Sequence, residues 1–172
     1  MVNKVYYNDA PDYCRPFFDL VDSDDLLAEL EKSKIDTLTL FDTITEENAN
    51  HRYAPNKWSV KEVLRHIIDC ERVYAYRALR FSRFDNTPLS GFDENVYIDN
   101  SRIVEQHLLD LKNEFELIRK STIELYKPMT NTMLDFKGTA NNATFTARTL
   151  GFMTVGHNIH HCKIIRSRYL KT

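Results

Sequence analysis

Apolar residues recur at helical spacing over four long stretches of the chain, and segments rich in polar residues and helix breakers separate them. This pattern predicts helices over residues 24–44, 60–84, 101–126 and 146–170. We expect the first helix to be capped by Ser23. The clearest start is the capping box at Ser59–Glu62, where each side chain can bond the other residue's backbone amide.

The segments between these helices set the expected architecture. Residues 1–22 carry prolines among aromatic residues and predict an irregular arm laid over the core. Residues 85–100 and a stretch rich in Thr and Asn around Gly138 form two long connections. Four helices with two long connections are typical of a four-helix bundle. We therefore predict an all-α four-helix bundle that forms one domain over residues 1–172.

Composition and charge narrow the function classes. The net charge of −2 gives no electrostatic support for nucleic-acid binding. The basic run Arg72, Arg77, Arg80 and Arg83 is interpreted as a solvated helix flank. No apolar run is long enough to span a membrane, and the N-terminus lacks the apolar region of a signal peptide. The cysteines show no framework spacing, so we expect a reducing, cytoplasmic environment.

Histidines carry the candidate chemistry. His157 and His161 lie four residues apart on a predicted helix, which puts both rings on one face within reach of one ion. A third ligand is needed, and His66 is the best candidate because it lies at the margin of the inward stripe of its helix. Neutral imidazole suits zinc, nickel, copper or iron. The alternative is a partly exposed helical pair and a hydrogen-bonded core histidine.

Other side chains near these positions are weaker candidates. Cys70 could supply a thiolate ligand. Asp69 could ligate the ion or accept a hydrogen bond from a ligating histidine, and His160 could line the entrance to the metal site. We expect Cys162 in the core and His51 and His107 on the surface. The sequence has no nucleophile elbow, phosphate loop, dinucleotide fingerprint, HExxH or Glu-x-x-His motif.

Several segments together resemble the DinB-like superfamily in its YfiT-like branch. They are NKWSVKEVLRHIIDCER at residues 56–72, YRALRFSR at 76–83, TPLSGFD at 87–93, GHNIHHCKII at 156–165 and Tyr169-Leu170. The resemblance covers residues 17–172 and implies a four-helix bundle with a metal site formed by His66, His157 and His161. It also implies a homodimer, which is an expectation only.

The resemblance leaves three functions open. One is a metal-dependent thiol S-transferase, with bacillithiol as a known thiol of the family, in which the 85–100 connection shapes the electrophile site. Another is a metal-dependent hydrolase, for which Asp69, Glu71 and His160 are candidate bases. The third is a metal-stabilised, stress-related binding protein without catalysis. We expect one divalent ion, zinc or nickel, and a small-molecule substrate.

Overall fold

Four long helices form the bundle that the sequence predicts. The structure, a computed structural model, describes residues 5–170, with side chains from residue 7 onward. The bundle helices are α2 (Leu26–Asp42), α4 (Val60–Ser82), α6 (Leu108–Tyr126) and α8 (Ala147–Ile164). The short helices are α1 (Arg15–Phe18), α3 (Glu46–Ala49), α5 (Glu94–Asp99) and α7 (Asn131–Asp135). The predicted all-α bundle is confirmed.

The order of the helices around the bundle differs from their order in the chain. Helix α4 packs against α6 and α8, and α2 packs against the same two helices. Helices that follow one another, α2 then α4 and α6 then α8, therefore lie diagonally across the bundle. The segments that join these diagonal pairs, residues 43–59 and 127–146, therefore have to cross an end of the bundle.

Local sequence explains where most of these helices begin. The Ser59 hydroxyl accepts from the Glu62 amide, and the Glu62 carboxylate accepts from the Ser59 amide at 2.5 Å, so the predicted capping box is confirmed. Helix α2 is capped by Asp25, whose side chain accepts from the amide of Ala28. The expected cap at Ser23 is wrong, because Ser23 instead accepts from the Asp25 amide.

The third bundle helix begins later than predicted. Arg102 has a left-handed backbone with φ of 52°, and a 3₁₀ turn at Ile103–Glu105 precedes α6. The amide of Leu108, at the start of α6, donates to the Glu46 carboxylate at 2.8 Å. Because that acceptor lies 62 residues away in the chain, the local pattern of apolar residues does not reveal this boundary.

The second connection contains a hairpin that the sequence analysis missed. Strands β1 (Lys137–Ala140) and β2 (Ala143–Thr146) pair antiparallel, with Ala140 opposite Ala143. Asn141 and Asn142 between them both have positive φ, as a two-residue I′ turn requires. Leu89, in the 85–100 connection, adds a parallel bridge to Ala140. The two connections are thus joined at one end of the bundle.

The N-terminal arm is more regular than predicted. It contains 3₁₀ turns at Val5–Asp9 and Asp12–Cys14 and then the short helix α1. Phe18 is fully buried, so the arm does cover the core. Residues 1–4 of the predicted arm lie outside the described residues, and the single domain over residues 1–172 stays a prediction. In the part of the chain described, no helix is both long and apolar enough to cross a membrane.

The arm approaches α8 at Gly156. A Cβ added to Gly156 would lie 2.1 Å from the backbone oxygen of Phe17, so only glycine allows this contact. Gly151 differs, because a Cβ there would meet the movable end of the Leu26 side chain at 2.6 Å. The glycines of α8 therefore serve close packing.

We expect Gly156→Ala to lower the free energy of unfolding by about 1–3 kcal/mol, although alanine favours a helix by about 1 kcal/mol. Urea unfolding measures the change. Gly151→Ala is the matched control and should cost less, since the Leu26 side chain can rotate away. A Gly156→Ala protein as stable as the wild type would contradict the close approach of the arm.

Candidate metal centre

Three imidazole rings converge between α4 and α8. The Nε2 atom of His157 lies 3.0 Å from Nε2 of His66 and 3.1 Å from Nε2 of His161. One nitrogen from each ring lies within 4.8 Å of the others, and no other group of three or more His, Cys, Asp or Glu side chains in residues 7–170 is placed to hold an ion. The structure thus brings the three predicted site residues together.

The helical register explains this convergence. His157 and His161 are one turn apart on α8, so their rings stack on one face. His66 reaches them from α4, which packs along α8. The centroid of the His66 ring lies 4.8 Å from the centroid of the His157 ring and 4.8 Å from that of the His161 ring. Each ring therefore comes from a rigid helix, which fixes its direction.

Burial keeps these rings neutral. It lowers the pKa of His66 to about 4 and that of His161 to about 3. Burial also lowers the pKa of His157 well below its ordinary value, and the neighbouring rings add to the effect. All three imidazoles are therefore uncharged at neutral pH, which is the form that binds a metal ion.

The donor set fits a transition-metal ion better than it fits a hydrogen-bond cluster. A neutral ring nitrogen either donates or accepts, so the Nε2 atom of His157 cannot donate to both neighbours. Two nitrogens bound to one tetrahedral zinc ion stand about 3.3 Å apart, close to the separations of 3.0 and 3.1 Å from His157, and the His66 and His161 nitrogens lie within 4.8 Å of each other. The residues present therefore suit one divalent ion.

Aromatic side chains surround the histidines. The Trp58 ring lies 4.8 Å from the His66 ring, and the Phe17 and Tyr74 rings lie 5.7 and 6.0 Å from the His157 ring. The sequence analysis did not assign these neighbours to the site. Helical spacing places Tyr74 on the His66 face of α4, which is a usable signal, whereas Phe17 reaches the site only through the fold of the arm.

The cluster is accessible from the side of His161. His161 is only partly buried and lines a cavity of about 240 Å³ beside the aromatic residues Tyr53, Trp58 and Tyr169. Asn95 of α5 also lines this cavity, so the 85–100 connection contributes to its wall. A small molecule can therefore approach the cluster from the His161 side.

The weaker ligand candidates take different positions. The Cys70 sulfur lies 3.6 Å from Nδ1 and 3.8 Å from Nε2 of His66, and burial raises the pKa of its thiol to about 12. Asp69 is paired with Arg65 and Arg72 and is not part of the histidine cluster. Cys70 therefore lies against the cluster, while Asp69 is held by its ion pairs.

The candidate bases Glu71 and His160 also lie in different environments. Glu71 is buried in an ion pair with Arg119, with bonds of 2.8 and 2.9 Å, so it faces the core. The His160 ring contacts the rings of Phe17 and His161, at 5.3 and 5.2 Å. Of the three candidate bases, His160 is therefore the one that contacts a ring of the histidine cluster.

The positions expected for the other cysteine and histidines are confirmed, whereas the interpretation of the basic run is corrected. Cys162 is buried against Thr37, and His51 and His107 are exposed. The basic run is not a uniformly solvated flank, because Arg77 is only 5% exposed. The correction has a physical cause, since Arg77 lies beneath the 85–100 connection and donates to the backbone oxygen of Ser90.

We expect the metal-free protein to lose stability between pH 7 and pH 5. Because the histidine pKa values are lower in the folded state than their usual 6.5, the unfolded chain binds more protons below that pH. The loss should be about 2 kcal/mol for His66 by pH 5, and His157 should add to it because burial lowers its pKa as well. Urea unfolding of chelator-treated protein measures it, and His157→Gln should reduce the loss. Equal losses in both proteins would contradict the assignment.

Comparison with known proteins places this chain in a family. The fold is similar to a solved structure of YfiT from Bacillus subtilis, which is described as a probable metal-dependent hydrolase with an unusual four-helix bundle topology. The TM-score is 0.73 and the sequence identity 15%, and the match covers 83% of this chain and 85% of that one. A search of curated proteins gave no significant match. The family model of the DinB superfamily matches residues 29–165, and the chain therefore belongs to the DinB superfamily.

Proposed function

We propose that the protein binds one divalent transition-metal ion through His66, His157 and His161 and transfers a thiol to a small electrophile. The observation that carries the proposal is the convergence of three neutral Nε2 atoms beside a cavity that reaches His161. Three protein ligands leave a position open, as is usual in catalytic rather than structural zinc sites.

The neutral donor set determines the chemistry. Imidazole does not discriminate sharply between zinc and nickel, and both are candidates. Because the three ligands carry no charge, a bound ion would keep its full 2+ charge and would lower the pKa of a thiol or a water beside it. The surrounding rings of Trp58, Phe17 and Tyr74 exclude water and strengthen that electrostatic effect.

The cavity beside His161 suits a small electrophile. Its aromatic walls offer apolar contact, and Lys57 and Asn95 supply polar groups among its lining residues. In the transfer, the thiol sulfur forms a bond to carbon while the leaving group departs with its electron pair. His160 is the candidate for holding the released proton, since its ring contacts that of His161.

Metal-dependent hydrolysis is the second candidate function. It is supported by the similarity to YfiT, whose description is that of a probable metal-dependent hydrolase. The same ion would activate water. Because Asp69 and Glu71 are engaged with arginines, His160 is the remaining candidate base for hydrolysis, as it is for thiol transfer. A stress-related binding protein with a structural ion is the third, and it would need a fourth ligand such as Cys70.

We expect purified protein to contain about one equivalent of zinc or nickel per chain, measured by elemental analysis after exhaustive dialysis. His157→Ala should lose the ion, because its nitrogen contacts both other ligand nitrogens. His107→Ala, at an exposed position, is the control and should keep it. Metal retained in His157→Ala, or absent from the wild type and without effect on its melting temperature when added, would refute the site.

We expect metal-loaded protein to accelerate the reaction of a low-molecular-weight thiol with a chromogenic electrophile at least tenfold over the uncatalysed rate. Cysteine, coenzyme A and bacillithiol serve as thiols, and product absorbance follows the reaction. Chelator-treated protein and His161→Ala should lose the acceleration. A parallel assay omits the thiol and uses an activated ester. Metal-dependent ester cleavage without any thiol transfer would favour the hydrolase, and no metal-dependent rate in either assay would favour the binding protein.

A further inference from the structure

Three arginines in residues 7–170 are buried, and one of them has no acidic partner among these residues. Arg65, Arg77 and Arg119 are 7, 5 and 0% exposed. Arg65 pairs with Glu114, and Arg119 pairs with Glu71, each through two bonds. Among the described residues, no carboxylate lies within the 4.0 Å ion-pair distance of Arg77. Because buried charges are normally paired, Arg77 calls for an explanation.

The contacts that Arg77 does make leave most of its donors available. Its guanidinium donates to the backbone oxygen of Ser90 at 2.9 Å and lies 5.7 Å from the centre of the Phe92 ring. A guanidinium carries five N–H donors in a planar fork. Burial lowers the pKa of Arg77, but an arginine side chain keeps its charge at neutral pH. The remaining donors therefore present positive charge to the space beside them.

Two cavities lie beside Arg77. One has a volume of about 580 Å³ and also has Ser90 in its lining, and the smaller one is formed by several parts of the chain. It has a volume of about 200 Å³, and Arg77 lines it together with the apolar side chains of Phe92, Phe145 and Met153. This is below the 300–1,000 Å³ common for drug-sized ligands, so its occupant must be small. Glu94 lies at its edge on the exposed surface, without an ion pair to Arg77.

We propose that this cavity binds a small organic carboxylate with a compact apolar body, with Arg77 as its charged anchor. The fork of a guanidinium matches the two oxygens of a carboxylate, and the apolar walls suit a ring or a branched chain. The carboxylate of the ligand would pair with Arg77 as the carboxylates of Glu114 and Glu71 pair with Arg65 and Arg119.

The proposal is independent of the metal centre. Tyr74 is the link between the two, since it lines this cavity and its ring lies 6.0 Å from the His157 ring. The cavity beside His161 has no lining residue in common with this one. Binding at Arg77 therefore needs no ion, which makes the two proposals separable by experiment.

The first test compares benzoate with benzamide, which has nearly the same shape without the charge. Isothermal titration of the wild-type protein should give saturable benzoate binding at least tenfold tighter than benzamide binding. The benzoate affinity should be the same within about twofold in metal-loaded and chelator-treated protein. No saturable benzoate binding, equal affinity for benzamide, or loss of binding on metal removal would each overturn the proposal.

The second test locates the ligand. In protein with labelled methionine methyl groups, benzoate should shift the signal of Met153, which is assigned with Met153→Leu. Arg77→Met should weaken benzoate binding at least tenfold. Arg80→Met is the control on the same helix, since Arg80 is paired with Asp85, and it should leave benzoate binding unchanged. An unmoved Met153 signal overturns the proposal even if Arg77→Met fails to fold, and so does undiminished binding in a folded Arg77→Met protein.

Discussion

Three neutral imidazoles held in one buried place are the constraint on which the rest of this structure depends. Each neutral ring carries one N–H donor and one lone pair that need partners, and burial removes water as a partner for His66 and His157. The aromatic neighbours Trp58, Phe17 and Tyr74 fill the space around the rings. Gly156 follows from the same need, because it lets the N-terminal arm come close enough for Phe17 to cover His157.

The convergence requires α4 and α8 to keep their relative position, and buried polar contacts hold both helices. Arg119 of α6 binds Glu71 of α4 and also donates to Ser33 and to the backbone of Leu30 on α2. Asn158 of α8, next to His157, donates to Thr37 of α2 at 2.5 Å. Buried hydrogen-bonded groups of this kind accept few alternative arrangements, although Oδ1 of Asn158 has no hydrogen-bond partner among the described residues. The ligand rings are thus fixed by contacts outside the site.

Local sequence signals predict much of this fold and site, and tertiary contacts decide the remainder. The Ser59 capping box and the four-residue spacing of His157 and His161 are local, and both place their residues correctly. The start of α6 depends on Glu46 from a distant segment, so periodicity placed it too early. The hairpin was missed because its two-asparagine turn was interpreted only as a loop. The aromatic cover of His157 comes from an arm with no periodic pattern.

Helix α4 carries both His66 and Arg77, eleven positions apart, which is about 16 Å along a helix axis. A molecule small enough for the 200 Å³ cavity cannot bridge that distance, so an anion at Arg77 would not meet the ion's open position. Tyr74 is one contact through which the two can influence each other. Burial raises the pKa of Tyr74 well above its usual value, so its phenol stays neutral. An occupied cavity would therefore act on the His157 ring through packing against Tyr74 and not through a change of charge on that residue.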